Sequence, residues 1–556
     1  MPDYKRLYSS TYLLKLILPV ILFGILAFSV LGNLSFPLLW NDEAETAMFG
    51  RLILKFGYPK VHDGKNVLNL SEFGELLIDQ KTDSYLAMMW GQYFLAAIGV
   101  AWSQLTGDIY LKTALVRLPF ALVGIAGIYL MARTLIHVIK KDDGRIRLFM
   151  LFILLELISV PLALHLREAR YYSLTVFLTA VILCLSSRRS IFMSVGLKLY
   201  WLEMTVLLYL IFNTFSPAYW ASLLTLVSWV FVRRKIGRSV FLDLVPVGLS
   251  LLLVLPTATF FRTFVQFQSI AGTHGIGVIK YVTNIEATVD FFVRYDLLIF
   301  YAFLKLILFF SGIYGNTKKK IAVTLVQPRF LSELLFIFLA SYTAVIGLIP
   351  YYLFERYIIP MQPVLTAAVA IDCYLVYRIT RGWFHSQSTG VIFLLILLVV
   401  SLGIRGFSNT TEPIKGHIYE LTHVYKGPID DVILYLANRF KNPDKLIIAT
   451  NYEEHAYIFY LGSKTIIGFV GNNLENDLKE NPDIIIPRRN WGHNFKELTW
   501  FLSRGQYELI SFPYTDLAVN NIPEIRNNIG IFHRYKTEIT DSEDEKIKVF
   551  VRSGAK

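Results

Sequence analysis

Apolar runs long enough to cross a bilayer recur along most of this chain, and they constrain its fold more than any other feature. A membrane helix needs about 20 predominantly apolar residues. The first such run extends from about Tyr12 to Leu34. Others cover roughly 117–139, 148–168, 171–186, 195–213, 217–232, 240–260, 291–313, 331–350, 357–378 and 390–406. With 54% hydrophobic and only 17% charged residues over 556, the chain is too apolar to be soluble. The expected fold class is a polytopic α-helical membrane protein with about 11 to 13 transmembrane helices, bearing a small extracytoplasmic α/β domain at its C-terminal end.

Basic residues cluster in every second connection: Lys5 and Arg6; Lys140, Lys141, Arg145 and Arg147; Arg188 and Arg189; Arg233, Arg234, Lys235 and Arg238; Lys318, Lys319 and Lys320; Arg378 and Arg381. Positive loops face the cytoplasm, which places the N-terminus inside and the region after Gly406 outside. The net charge of +12 follows from the same rule and does not call for nucleic acid. An integral membrane protein is expected. Residues 84–107 are apolar enough to cross, but a crossing there would invert every later loop. They are expected to re-enter or lie in the interface, within a long first external loop from 35 to 116. The chain then divides into a membrane domain, 1–406, and an external domain, 407–556. In the latter, "KLIIAT", "KTIIGFV" and "DIIIP" read as strands and "GPIDDVILYLANRF" as a helix. Cys184 and Cys373 both fall in apolar runs and form neither a disulfide framework nor a metal site. "GTHGIG" reads as a flexible external loop.

Three external stretches carry chemistry. Directly after the first run, "NDEAETAMFGRLILKFG" puts Asp42, Glu43 and Glu45 at the start of an amphipathic helix. Locally, Asp42 can cap that helix and Glu45 complete a capping box, and acids suit a helix N-terminus. The turn "ALHLREARYYSL" holds His165, Arg167, Glu168, Arg170, Tyr171 and Tyr172, and "PYYLFERYIIP" holds Tyr351, Tyr352, Glu355, Arg356 and Tyr357. Ionisable groups at membrane depth cost roughly 2.5 to 3.5 kcal/mol each, although arginines at helix ends can snorkel. All three stretches lie on one side of the bilayer and combine charge with aromatics. That pattern suits a cavity for an anionic, partly lipidic ligand: guanidinium forks hold phosphate oxygens, and tyrosine rings stack on or hydrogen-bond to a sugar.

These segments resemble a family. "WNDEAETAMFGRLILKFGYP", followed by Asp63 and Gly64, is similar to the first external loop of bacterial and archaeal relatives of protein O-mannosyltransferases, the family 39-like GT-C glycosyltransferases. "LREARYYSLTVFL" and "ERYIIPMQPVLTAA" resemble two later stretches of the same family, in the same order. The resemblance implies the GT-C type of fold and an inverting transferase in the plasma (inner) membrane of a prokaryote, with its site facing away from the cytoplasm. Its donor would be a sugar on a polyprenyl phosphate, its acceptor a hydroxyl of a lipid, polysaccharide or protein. It assigns catalysis to the pair Asp42 and Glu43, with Asp42 as general base or acceptor orienter. Arg356, then Arg170 and Arg167, would hold the departing phosphate, with Tyr357, Tyr171, Tyr172, His165 and Lys81 binding substrate.

The chain departs from the family at several points. Aminoarabinose-transferring members have Arg and Tyr where Glu45 and Thr46 stand, and Lys-Pro-Pro where this chain has Lys81, Thr82 and Asp83. The His-Pro-Pro element of eukaryotic mannosyltransferases is missing, and Tyr172 replaces an Asp of some members. No metal or other cofactor is firmly implied; His165 with Glu168 would be the pair to hold a divalent ion, and two ligands alone are not specific. The other functional class compatible with an Arg and Tyr cavity is a transporter or flippase of lipid-linked sugars. Transporters commonly carry internal repeats, and none is evident here.

Overall fold

The computed structural model describes residues 10–68, 77–139, 142–234, 240–275, 277–311, 325–350, 353–384, 387–424, 426–468, 470–471, 474–489, 494–516 and 539–555. Lys5, Arg6, Lys140, Lys141, Lys235, Arg238, Lys318, Lys319, Lys320, Tyr351 and Tyr352 lie outside them. Helix α1 (Ser10–Leu31) leads into the first loop, which holds α2 (Asn41–Phe56), a short hairpin of β1 (Ile78–Asp79) and β2 (Ser84–Tyr85), and α3 (Gly91–Ser103). The bundle continues with α4 (Ile109–His137), α5 (Asp142–Leu157), α6 (Val160–Arg167), α7 (Tyr171–Ser190), α8 (Leu197–Phe212) and α9 (Ser216–Arg234). It is completed by α10 (Val245–Phe260), α11 (Thr263–His274), α12 (Val278–Tyr295), α13 (Leu298–Phe310), α14 (Val326–Gly347), α15 (Gln362–Phe384) and α16 (Gln387–Arg405).

By length and apolarity, six described helices can cross a membrane, or seven if the bent pair α5 and α6 is one span. The other expected runs are helical too, among them α8 with 16 residues and α13 with 13. The run at 148–168 is not one straight helix: α5 and α6 meet at 78°. Pro161, near the start of α6, lacks an N–H and would clash with a carbonyl one turn back, so the helix breaks before it. The "GTHGIG" stretch, expected as loop, begins within a helix: residues 272–274 form the end of α11, which Gly275 terminates at φ 75° before α12 begins at Val278. On α12, Asn284 Nδ2 donates to the carbonyls of Gly347 (3.2 Å) and Ile349 (2.9 Å), satisfying the end of α14. Of the apolar window around α15, 94% is buried against 17% for α16, so α15 is the bundle's central helix and α16 its lipid-facing rim.

Helix α3 has 13 residues, about 20 Å at 1.5 Å per residue, too short for a hydrocarbon core of about 30 Å. It packs between α2 and α4 through glycines that let backbones touch. A Cβ at Gly50 would sit 2.9 Å from Ala97 N, and one at Gly99 would sit 2.7 Å from Leu115 O and 2.8 Å from Val116 Cα.

The C-terminal region contains α17 (Ser408–Thr422), α18 (Pro428–Arg439), β3 (Ile447–Thr450), α19 (Glu454–Leu461), β4 (Lys464–Ile466) and α20 (Leu474–Asp477), then β5 (Ile484–Ile486), α21 (Phe495–Arg504), β6 (Tyr507–Thr515) and β7 (Lys546–Arg552). Its five strands lie in the order β4-β3-β5-β7-β6, with β3 parallel to β4 and β5, and β7 antiparallel to β5 and β6. Its apolar face does not close on itself. Ile433, Leu436, Ile448, Tyr457 and Ile484 share one buried cluster with Leu39, Ala47, Phe49, Leu52 and Tyr93 of the first loop. The sheet and the first loop are therefore one packed unit above the bundle.

Because the atoms opposite Gly99 are backbone and cannot swing aside, Gly99→Ala should separate α3 from α4. A loss of about 1–3 kcal/mol is expected, read as a lower Tm of the detergent-solubilised protein. An unchanged Tm would show that the two helices separate without cost.

Candidate active site

The site begins with the way the chain enters α2. Trp40 precedes the helix without a side-chain cap bond, and Ala44 N donates to Trp40 O, so Asp42 lies inside the first turn and not at its cap. The capping box that the sequence allows does not form. Glu43 instead points into the protein with no exposure. Arg117 of α4 grips it through Nε to Oε1 (2.8 Å) and Nη2 to Oε2 (2.6 Å), and Ala169 N adds a third bond to Oε1 (2.8 Å). Arg117 Nη1 also donates to the carbonyls of Leu34 (2.9 Å) and Pro37 (2.8 Å), shaping the approach to α2. Both oxygens of Glu43 are thus committed to the scaffold, so the expectation of Glu43 as a partner in chemistry meets a carboxylate with no open face.

With Glu43 turned inward, Asp42 faces the two later stretches. Its Oδ2 lies 3.3 Å from Arg170 Nη2 and 3.2 Å from Arg356 Nη1, with the side chain 24% exposed. Arg170 also donates through Nη1 to Asp42 O (3.1 Å), Thr46 Oγ1 (3.1 Å) and Glu45 Oε2 (3.3 Å). Glu45 Oε1 accepts from Tyr85 (2.9 Å) and Tyr93 (3.4 Å), and burial raises its carboxyl above the usual range against the pull of Arg170. Arg356 sits in a tight turn, Glu355–Tyr357, anchored by Tyr342 OH donating to Tyr357 O (2.8 Å). Its guanidinium lies 4.2 Å from the Phe354 ring centre and 5.8 Å from those of Trp40 and Tyr357. Such cation–π contacts hold the charge while leaving its edge available.

Aromatics line the approach. Tyr171 stacks on Phe215 at 4.7 Å, and Phe215 in turn lies 5.8 Å from Tyr357. Gln92 of α3 accepts from Tyr171 N (3.1 Å) at the start of α7, supplying that helix with a cap from outside. Tyr172 is buried, its ring edge-on to His165 at 5.2 Å.

Three expected residues are placed elsewhere. Arg167 is a buried strut: Nη1 pairs with Glu420 of α17 (2.9 Å), and Nη2 donates to Gly32 O (2.7 Å) and Asn33 O (2.8 Å). His165 Nδ1 donates to Pro161 O (2.7 Å) within its own helix. Lys81 is exposed in the turn between β1 and β2. Among the described residues, no three His, Cys, Asp or Glu side chains converge to hold a metal ion. Conversely, Arg117, Tyr85, Tyr93 and Gln92 belong to the site and were not foreseen from the sequence. Arg117 carried a signal, a lone arginine at the edge of an apolar run; the others carried none.

No protein-family model matches this chain, and no curated protein sequence does. Solved structures do. ArnT from Cupriavidus metallidurans, bound to undecaprenyl phosphate, aligns with a TM-score of 0.53 at 11% identity, covering 91% of this chain and 97% of that one. The chain has the GT-C fold. ArnT in the apo state (TM-score 0.49, 13% identity, 91% of this chain and 97% of that one) and the Archaeoglobus fulgidus oligosaccharyltransferase in complex with Zn and sulfate (TM-score 0.49, 12% identity, 84% and 68%) also align. Within the GT-C fold of this chain, Asp42, Arg170 and Arg356 meet at the junction of the first loop, the α6–α7 turn and the turn before α15.

The C-terminal region closes over this junction, and Asp430 marks the seam. Its Oδ2 accepts from Leu38 N (3.3 Å), and burial, reinforced by neighbouring Asp431, pushes its carboxyl from the usual 3.8 up to about 7. The folded chain holds a proton that the unfolded chain releases above about pH 4, so this group removes stability as pH rises from about 4 to about 7. Asp430→Asn keeps the acceptor and removes the charge. Its Tm should exceed that of wild type by more at pH 8 than at pH 5; an equal offset at both would show that Asp430 carries no such penalty.

Proposed function

We propose that this protein is an integral-membrane glycosyltransferase that moves a sugar from a polyprenyl-phosphate-linked donor to an acceptor hydroxyl, with inversion, on the extracytoplasmic face of a prokaryotic plasma membrane. The observation that carries this reading is the Asp42 carboxylate held between Arg170 and Arg356, three residues brought together from three separate extramembrane turns. It is supported by the GT-C fold and by the basic residues in every second connection, which the positive-inside rule assigns to the cytoplasmic side.

In this scheme the acceptor oxygen bonds to the anomeric carbon as the bond from that carbon to the phosphate oxygen breaks. The acceptor proton passes to Asp42, and the polyprenyl phosphate leaves with an added negative charge. A positioned carboxylate contributes about 10² to 10⁴-fold to such a step. Arg356 and Arg170 stabilise the leaving phosphate where its charge grows. The donor phosphate competes with Asp42 for the same guanidiniums, so donor binding loosens the ion pairs and frees the carboxylate to take a proton. Tyr171, Tyr357 and Phe215 form the wall against which a sugar ring can pack. Sugar and acceptor identities lie with the residues lining that wall and with the C-terminal region.

Purified protein in nanodiscs, given radiolabelled polyprenyl-phosphate sugars and a pooled acceptor extract, should release sugar. Asp42→Asn should lower kcat by about 10²-fold or more with donor binding at least as tight as in wild type, since the competing carboxylate is gone, and full turnover in that variant would exclude Asp42 as base. Separately, Arg356→Ala should weaken donor binding by about 1.5–3 kcal/mol, the worth of a hydrogen bond to a charged group; wild-type donor affinity would mean that this guanidinium serves only the protein surface. Movement of labelled lipid between leaflets without sugar release would favour a flippase.

A further inference from the structure

Helix α2 does not stand alone in presenting Asp42. Its first residue, Asn41, is buried, and Asn41 Oδ1 accepts two hydrogen bonds from the C-terminal region, from His455 Nδ1 (3.0 Å) and from His455 backbone N (3.3 Å). The second bond satisfies one of the free amides in the first turn of α19, so Asn41 acts there as a helix cap supplied by another part of the chain. Two helix N-termini therefore meet at Asn41, and the residue joined to it by one peptide bond is Asp42.

Helix α19 and the residue that ends it are fixed against α2 and the chain on either side of it. Arg51 Nη2 donates to Phe459 O (2.9 Å), Leu39 N donates to Tyr460 OH (2.9 Å), and Lys65 Nζ donates to Gly462 O (2.8 Å). Asn66 then pairs with Ser463 O (3.1 Å) and Thr465 N (2.8 Å). The chain is aimed into α19 by a left-handed residue, Glu453, at φ 63°. A non-glycine residue there costs of order 1–3 kcal/mol and persists only when its surroundings over-determine it. Here they do: Arg488, fully buried, pairs with Glu453 and donates through Nε to Asp516 Oδ1 (2.6 Å), while its backbone N donates to Asn451 Oδ1 (2.7 Å). The strand ends of the sheet thus lock Glu453, Glu453 aims His455, and His455 holds Asn41. Burial lowers the His455 imidazole to about 4, so at neutral pH it carries one ring proton, and the Asn41 Oδ1 acceptor selects the tautomer with that proton on Nδ1.

We propose that His455 is a positioning residue for the Asp42 carboxylate, so that the C-terminal region completes the active site. The proposal rests on the transferase reading above for its consequence in turnover and on the Asn41 contact alone for its structural part. A displacement of about 1 Å in a reacting group can cost 10²-fold, and Asn41 and Asp42 cannot move independently.

The test uses the full chain in nanodiscs, with His455→Ala and His455→Asn, whose amide nitrogen can occupy the place of Nδ1. Two readouts are taken: kcat against donor KM, and hydrogen–deuterium exchange over residues 41–56. The alanine variant should lose about 10- to 100-fold in kcat with donor KM unchanged and should exchange faster in the first turn of α2. The asparagine variant should recover both. Wild-type kcat and exchange in His455→Ala would overturn the proposal. So would an asparagine variant as inactive as alanine with normal exchange, since the imidazole itself would then take part in the reaction. If wild type transfers no sugar, the transferase reading falls while the exchange data still decide the clamp: faster exchange in alanine and normal exchange in asparagine support it, and equal rates in all three overturn it.

Discussion

The buried pair of Glu43 and Arg117 governs the geometry of everything around it. Removing a carboxylate and a guanidinium from water costs several kcal/mol each, and attraction offsets this only when the geometry is close and the remaining lone pairs are satisfied. Both conditions are met: the contact is bidentate, and the spare capacity of Glu43 is taken by Ala169 N. One carboxylate so joins the start of α2, the body of α4 and the α6–α7 turn. At 3.6 residues per turn, fixing Glu43 inward fixes where Asp42 and Glu45 must point. They point at Arg170, which the same turn delivers.

The charges around Asp42 are arranged in opposition. Arg170 is almost wholly buried and spreads its donors over Asp42, Glu45 and Thr46, which makes it part of the frame. Arg356 is more exposed and is held largely by aromatic faces. A planar, permanently charged guanidinium suits that setting, since rings can clamp its faces while its edge meets an anion. Under the proposed function, Arg356 is therefore the arginine that would exchange a protein carboxylate for a ligand phosphate.

Legibility in the sequence followed the range of the forces involved. Apolar runs became helices because burying them is a local demand, and "KLIIAT", "KTIIGFV" and "DIIIP" became β3, β4 and β5 for the same reason. Asp42, Arg170 and Arg356 could be picked out because charge beside a membrane helix is costly and conspicuous. Local rules failed where tertiary partners outbid them. The capping box at Asp42 and Glu45 lost to Arg170, and Arg167, similar on paper to Arg170, was taken by Glu420 of α17. The C-terminal region, read as a separate domain, shares its apolar cluster with the first loop, and no pattern within either segment announces a partner so far away.

That shared cluster has a consequence for the order of assembly. Asn41 and His455 are 414 residues apart, and the contacts of Asn33, Leu38 and Leu39 with the C-terminal region span 387 to 421. Closing a loop of that length carries an entropic cost that grows slowly with length, but the contacts themselves cannot exist until the chain has been made through α19. Glu43 and Arg117 are only 74 residues apart and are both present early in synthesis, while the Asn41 contact must wait for α19. The contact that holds the residue beside Asp42 is acquired only once the chain has been made through α19.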